Sequence, residues 1–352
     1  MAGSIREIAR LTGLSSTAVS QALRGIGRLS PETRARIRAA ADELAYSPDP
    51  LFSQAFSRAR QPRVKRFRET LALILEWETA VGPWYQREMH QAIREQAAFL
   101  GYGLESFVVS GRAQDQRRLS KILRARGIHG VIILPRLENV RPRMHLDWED
   151  FSTVVIGRTI WHPRNFNRVE SGDYMQLLEA LHLLKKVGYR RIGMAVEAIH
   201  NTQQNGIYYA AFLHTQIRLP AAQQVPIFAP TSAFEEQAFR RWLETHHPDV
   251  LIIHKVNTVS AWLADLGLRV PEDISLFCIN VEQRRWSGLR RNYRELGRSA
   301  MESVAQMLRN GERGLLGMPR TLLVEGAWQI GETLRLPITR FVSPAGILSS
   351  SP

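Results

Sequence analysis

The run Ser4-Ile5-Arg6-Glu7-Ile8-Ala9-Arg10-Leu11-Thr12-Gly13-Leu14-Ser15-Ser16-Thr17-Ala18-Val19-Ser20-Gln21-Ala22-Leu23-Arg24-Gly25 sets two short helical patterns on either side of a glycine turn. Ile5, Ile8, Ala9 and Leu11 give the first an apolar face, Thr12-Gly13-Leu14 makes the turn, and Ser15 or Ser16 caps a second helix that runs to about Leu23. Ser30-Pro31-Glu32 opens a third helix, with serine as cap and proline at the first helical position, which continues through Ile37, Ala41 and Leu44 to Tyr46. Helix, glycine turn, helix is the unit that seats its second helix in the major groove of duplex DNA. On that helix Val19 and Leu23 share an inward face, whereas Thr17, Gln21 and Arg24 recur on another. Ser16, Thr17 and Gln21 are the candidates for reading bases, because a glutamine amide matches adenine N6 and N7. Ser4, Ser15, Ser20 and Arg24 suit phosphate oxygens, which fix register without reading sequence. The same polar row equally describes the solvated side of a small bundle, and spacing alone leaves both readings open.

Charge follows the same division. The 352 residues hold 47 Lys plus Arg against 33 Asp plus Glu, a formal net charge of +14. Residues 1–70 hold 13 of those cations and six of the acids, so half the net charge sits in the first fifth of the chain. That asymmetry fits a basic binding head on a more neutral body and a polyanionic partner. No apolar run approaches the roughly 18 to 20 residues that cross a bilayer, so no membrane partner is expected. The first ten residues lack the apolar core of a signal peptide, and a single cysteine, Cys278, allows neither an internal disulfide nor a cysteine zinc site. These features point to the cytoplasm.

From Ser47 onward Pro48, Pro50 and Pro62 interrupt a basic stretch that reads as a linker, with a short helix over Leu51–Ala59. Thereafter apolar strand patterns alternate with amphipathic helices. The strands are expected at Leu71–Leu75, Phe107–Ser110, Val131–Leu134, Thr153–Ile156, Ile192–Val196, Val225–Phe228, Val250–Ile253 and Ile274–Ile279. Strand then helix, repeated over some 260 residues, implies parallel α/β sheets in two lobes with ligand space at the carboxyl ends of the strands. The expected organisation is therefore a helix-turn-helix head over 1–47, a hinge or linker over 48–69, a two-lobed α/β body over 70–335 and a mobile tail over 336–352.

Enzymatic signatures are missing from the sequence. There is no phosphate loop, no Gly-x-Ser-x-Gly elbow and no His-Glu-x-x-His, and the adjacent pair His246-His247 precedes Pro248 at a helix end. Cys278 sits within an apolar strand and reads as a structural thiol. No catalytic residue, metal ligand or cofactor is assigned.

The quoted head, with Ser30-Pro31-Glu32-Thr33-Arg34 and Leu44-Ala45-Tyr46-Ser47-Pro48, resembles the LacI-type transcription regulators over about 50 residues without a gap. Val154-Val155-Ile156-Gly157-Arg158, Gly188-Tyr189-Arg190-Arg191-Ile192-Gly193 and Gly267-Leu268-Arg269-Val270-Pro271-Glu272-Asp273-Ile274-Ser275 extend the resemblance into the body. It implies a type I periplasmic-binding-protein fold, base reading by Ser16, Thr17 and Gln21, and a hinge helix that wedges an apolar side chain into the minor groove. Position 24, usually Asn, is Arg here, and position 18, usually Thr, is Ala. At the hinge, Ala55 stands where the family has leucine, with Phe52 and Phe56 beside it as alternative wedges or as packing residues.

Candidate effector contacts follow the matching strand ends: Trp84 and Tyr85 for stacking, and Gln203, His254 and Asn280 where the family carries Arg, Asn-Asp and Asp. Trp286 is a further aromatic candidate. Those polar replacements change the ligand chemistry. The resemblance thus implies a homodimeric regulator, in the first place a repressor, of a near-palindromic double-stranded operator, controlled by a small sugar-like effector. The alternatives are a cytoplasmic sugar-binding receptor without DNA activity and an α/β enzyme with a basic appendage.

Overall fold

A computed structural model describes residues 5–23, 30–44, 69–78, 81–109, 112–136, 143–230 and 235–335. The chain folds as two compact units, one of Met1–Phe67 with Arg309–Glu312 and the other of Arg68–Leu308 with Arg313–Pro352. The first contains three helices, α1 (Ile5–Thr12), α2 (Ser16–Leu23) and α3 (Pro31–Glu43). Ile8, Val19 and Ile37, one from each helix, are wholly buried, with Ala9, Ala22, Ala40 and Ala41 filling between them. Gly13 takes the left-handed conformation, φ +65°, that ends α1, and Leu14 N–H returns to the Ala9 carbonyl at 3.1 Å. Of the two serines, Ser15 is the cap of α2: its Oγ accepts from Ala18 N–H at 3.2 Å. Ser30 caps α3 by accepting from Thr33 N–H at 3.2 Å, with Pro31 at the first turn. Leu11 is 55% exposed and not part of the apolar face. Ile8, Ala9 and Thr12 form that face, and Leu11 lies about 100° around the helix from its centre.

The body is built on two sheets. The first contains β1 (Thr70–Leu75), β2 (Gly103–Val108), β3 (Gly130–Ile133), β4 (Ser152–Ile156), β5 (Asn167–Ser171) and β10 (Thr321–Val324), all parallel, in the order β10-β5-β4-β3-β1-β2. The second contains β6 (Ile192–Ala195), β7 (Val250–Ile253), β8 (Ser275–Cys278), β9 (Gly288–Arg290) and β11 (Ala327–Gln329), in the order β11-β9-β8-β7-β6, with only β11 antiparallel. Helices α4 (Trp84–Leu100) and α5 (Ala113–Ala125) cover the first sheet. Around the second lie α6 (Asp173–Val187), α7 (Ala198–Gln203), α8 (Ile207–Gln216), α9 (Glu236–His246) and α10 (Val256–Asp265). The long α11 (Tyr293–Asn310) returns to the first sheet through Leu296, Ala300 and Val304.

Helices on both faces explain why β1, β3, β4 and β7 read as unbroken apolar runs. The packing is close at Gly130, where a Cβ would lie 2.3 Å from Leu71 Cδ2. The chain crosses between the sheets three times, from β5 to α6, from β9 to α11 and from β10 to β11.

Several elements differ from the sequence expectation. Val225–Phe228 forms no strand, only a bridge between Phe228 and Ala195, because Pro226 has no N–H to give a ladder. The strand expected at Phe107–Ser110 runs instead over Gly103–Val108, and α11 begins at Tyr293, five residues before the expected Arg298. The hinge residues Phe52, Ala55 and Phe56, the tail 336–352, and Ser4 and Arg24 lie outside the described residues.

Candidate functional site

In the first unit, Ser15 and Ser16 are exposed at the start of α2. Thr17, Ser20 and Gln21 follow on the same helix, and their side chains lie outside the described residues.

In the body, the carboxyl ends of the two sheets enclose a cleft of about 580 Å³. Its place follows from strand order: in the first sheet β1 connects to β2 on one side and lies beside β3 on the other, so the connections diverge and open a crevice. Trp84, Tyr85, Gln203, His254 and Asn280, all named from the sequence as candidate contacts, line this one cavity, as does Trp286. Trp84 and Tyr85 form the first turn of α4 behind Pro83. The Trp84 ring meets Tyr293 edge-on at 5.2 Å, and Tyr85 stacks on Tyr293 at the same centroid distance. Gln203 ends α7, and His254 follows β7 directly. Asn280, two residues past β8, accepts from the Tyr293 hydroxyl at 3.0 Å.

The sequence reading missed the charged floor. Arg291, on the β9–α11 crossing, is gripped by Asp173 at the start of α6, with Nε to Oδ1 at 3.0 Å and Nη2 to Oδ2 at 2.5 Å, and Nη2 also donates to the Tyr208 hydroxyl. Burial opposes the guanidinium charge most strongly, yet Asp173, Tyr208 and Tyr293 together outweigh it and hold the Arg291 pKa well above its ordinary value. Burial likewise pushes the Tyr208 and Tyr293 hydroxyls up, so both stay protonated, and that of Tyr293 donates to Asn280. Arg158, just past β4, pairs with Glu170 at 2.8 Å. Burial raises the Glu170 carboxyl even though Arg158 and Arg168 act against the rise.

His200 on α7 was also missed. Its ring meets His254 edge-on with centroids 3.9 Å apart. Burial lowers the His254 pKa well below 6.5, and the charges on His200, Arg291 and Lys255 add to that. Burial lowers His200 as well, with Glu197 opposing. Nothing in the sequence marks the pair, since 54 positions separate two ordinary histidines that only strand order brings together. Among the described residues no group of histidine, cysteine, aspartate and glutamate is arranged to hold a metal ion.

Two family models match the sequence. One describes bacterial regulatory proteins of the lacI family and covers residues 4–49; the other describes a periplasmic binding protein-like domain and covers residues 181–326. The chain belongs to the lacI family. Similar lacI-family relatives include the HTH-type transcriptional repressor PurR of Escherichia coli O139:H28, 25% identical across 77% of this chain and 79% of that protein. The HTH-type transcriptional regulator AglR of Rhizobium meliloti is 26% identical across 54% of this chain, and the match spans about half of AglR's length. The lacI-family fold is shared with solved structures. A lac repressor dimer bound to operator and the anti-inducer ONPF aligns with a TM-score of 0.55 at 15% identity, covering 95% of this chain and 99% of that one. The transcriptional regulator CelR in complex with cellobiose aligns with a TM-score of 0.54 at 16% identity, covering 94% and 99%. The helical head followed by a parallel α/β body is thus the architecture of a lacI-family bacterial regulatory protein.

Proposed function

We propose that this protein represses transcription from a near-palindromic operator that it binds as a homodimer, and that a small molecule in the cleft modulates the binding. The reading is carried by the match of the lacI family model to a head whose α2 starts with a Ser15 cap and an exposed Ser16. One short helix reaches too few bases for specificity, and two-fold pairing supplies a second half-site. In this reading Ser16, Thr17 and Gln21 contact base edges, Ser4, Ser15, Ser20 and Arg24 contact phosphates, and Phe52 or Phe56, beside Ala55, enters the minor groove. The effector lies against Trp84, Tyr85, Gln203, His254 and Asn280. Its differential affinity for two arrangements of the lobes shifts operator affinity by a coupling energy of about 1–3 kcal/mol. The protein works in the cytoplasm, where its DNA partner is, and performs no catalysis.

Selection of bound duplexes from a random pool tests this reading. It should return two inverted half-sites whose affinity falls steeply with salt. Gln21→Ala should relax one base position per half-site at a cost of about 1–3 kcal/mol, whereas Arg24→Ala should weaken all sequences alike. A pool that yields no preferred sequence rejects the proposal.

A further inference from the structure

Helix α8 (Ile207–Gln216) holds no Asp, Glu, Lys or Arg in its ten residues, alone among the described helices of the body that have eight residues or more. Its inner face, made by Tyr208, Ala211, Phe212 and Gln216, is buried, and the first three pack into the core of the second lobe. The opposite face carries Ala210, Leu213 and His214 and continues to Ile217. All four are exposed, Leu213 at 50% and Ile217 at 73%. A surface helix turns charged or polar residues outward, whereas one that is apolar all round belongs in an interior. The outer stripe of α8 therefore calls for a cover.

Size and position select that cover. The stripe has three apolar side chains on about two turns, far short of the roughly 20 to 30 residues a side with which a separate protein forms a specific interface. A segment of the same chain needs less area, because its tether gives it a high effective concentration at the site. Residues 336–352 leave the body at the end of the lobe where α8 finishes. Arg335 N–H donates to the Tyr189 hydroxyl at 3.0 Å and to Ser275 Oγ, at the start of β8, at 3.2 Å. Gln216 Nε2, at the end of α8, donates to the Ile192 carbonyl at the start of β6 at 3.4 Å. Ile192, Val250 and Ser275 stand side by side in register across β6, β7 and β8, so the two anchorages are two strand spacings, about 10 Å, apart. Phe341 and Val342 follow Arg335 closely enough to reach about 20 Å from it. With Leu336, Ile338, Ile347 and Leu348 they set six large apolar residues against a single charge, Arg340, in residues 336–352. That composition is too apolar for a solvated tail.

We propose that residues 336–348 lie across the outer face of α8 of the same chain, with Phe341 and Val342 against Leu213 and Ile217, and close this apolar stripe to other molecules. The inference is independent of the operator and effector readings.

Photocrosslinking of the full chain tests it. With Phe341→p-benzoylphenylalanine, irradiation should join position 341 to the peptide that contains Leu213 and Ile217, and a mixture of isotope-labelled and unlabelled chains should show both ends in one chain. Leu213→Lys with Ile217→Lys, two exposed positions, should cut the yield at least fivefold. Capture between a labelled and an unlabelled chain, capture of another part of the body, no capture, or an undiminished yield in the lysine variant each overturns the proposal. A second variant reads the uncovered face directly: Phe341→Asp with Val342→Asp should raise the fluorescence of an apolar-surface dye at least twofold, and Leu213→Lys with Ile217→Lys should remove that rise. Unchanged fluorescence in the aspartate variant overturns the proposal as well.

Discussion

Asp173 and Arg291 tie together two of the three chain crossings between the lobes through a forked ion pair, at 3.0 and 2.5 Å. The third crossing is joined to the first where Gln176 Nε2 donates to Glu325 Oε2 at 2.9 Å. The segments that must flex when the lobes move are therefore cross-linked to one another by side chains at the back of the cleft. A ligand touching Asn280 reaches this tether through Tyr293, whose hydroxyl contacts both Asn280 and Arg291.

Asp173→Asn should destabilise the body by about 3–5 kcal/mol, because it strands a nearly buried guanidinium without its counter-charge. Replacing both partners, Asp173→Leu with Arg291→Met, should cost less than the single change, since it removes the charge left unpaired. Urea unfolding of the three variants checks this. A double variant no more stable than Asp173→Asn would show that the pair contributes net attraction beyond relief of a stranded charge.

The local parts of this architecture were legible because single residues encode them. Gly13 ends α1, Ser15 and Ser30 cap the next two helices, and the apolar runs at Leu71–Leu75 and Val250–Ile253 announce strands covered on both faces. Trp84, Tyr85, Gln203, His254 and Asn280, chosen by the resemblance of the body to the family and by their places after strands, all line one cavity. The tether was not legible. Asp173 and Arg291 are 118 positions apart in short polar connectors, and β5, written Asn167-Arg168-Val169-Glu170-Ser171, has one apolar residue in five. Its strand character comes from neighbours on both sides, β4 and β10, and no window of sequence contains them.

Ser30→Ala should loosen the start of α3 at a cost of about 1 kcal/mol, the usual worth of an N-cap side chain. Amide exchange should accelerate at Thr33, whose N–H loses its acceptor, and at its neighbours in the first turn of α3, while β1 and β3 stay unchanged. Unaltered exchange at Thr33 would mean that Pro31 alone fixes the helix start.

Acid should weaken the body through His254. Its proton affinity is lower in the fold than in the unfolded chain, so stability is intact above about pH 6.5 and is lost as pH falls below that value. The groups facing it are His200 from α7, Lys255 from its own segment and Arg291 from the β9–α11 crossing, with Glu197 beyond His200. His254→Gln should flatten the decline in melting temperature between pH 7 and 5. Equal slopes for the two proteins would place the acid sensitivity elsewhere.

A hydrogen bond also joins the lobes away from the crossings. Trp161, on the β4–β5 connection of the first lobe, donates from Nε1 to Asn205 Oδ1 at 2.7 Å in the turn between α7 and α8 of the second. The Arg164 guanidinium lies 4.3 Å from the indole centre, and Asn205 takes φ +56°, a left-handed conformation that asparagine tolerates. Asn205→Gly keeps that backbone accessible and removes only the amide, while Trp161→Phe keeps a ring for Arg164 and removes only the N–H. Both groups are exposed, so each change should cost at most about 1.5 kcal/mol. Combined, they should cost less than their sum, with a coupling energy of about 0.5–1.5 kcal/mol, because both delete the same bond. A double-mutant cycle by urea unfolding measures the coupling, and a value of zero would mean that the contact does not hold the lobes together in solution.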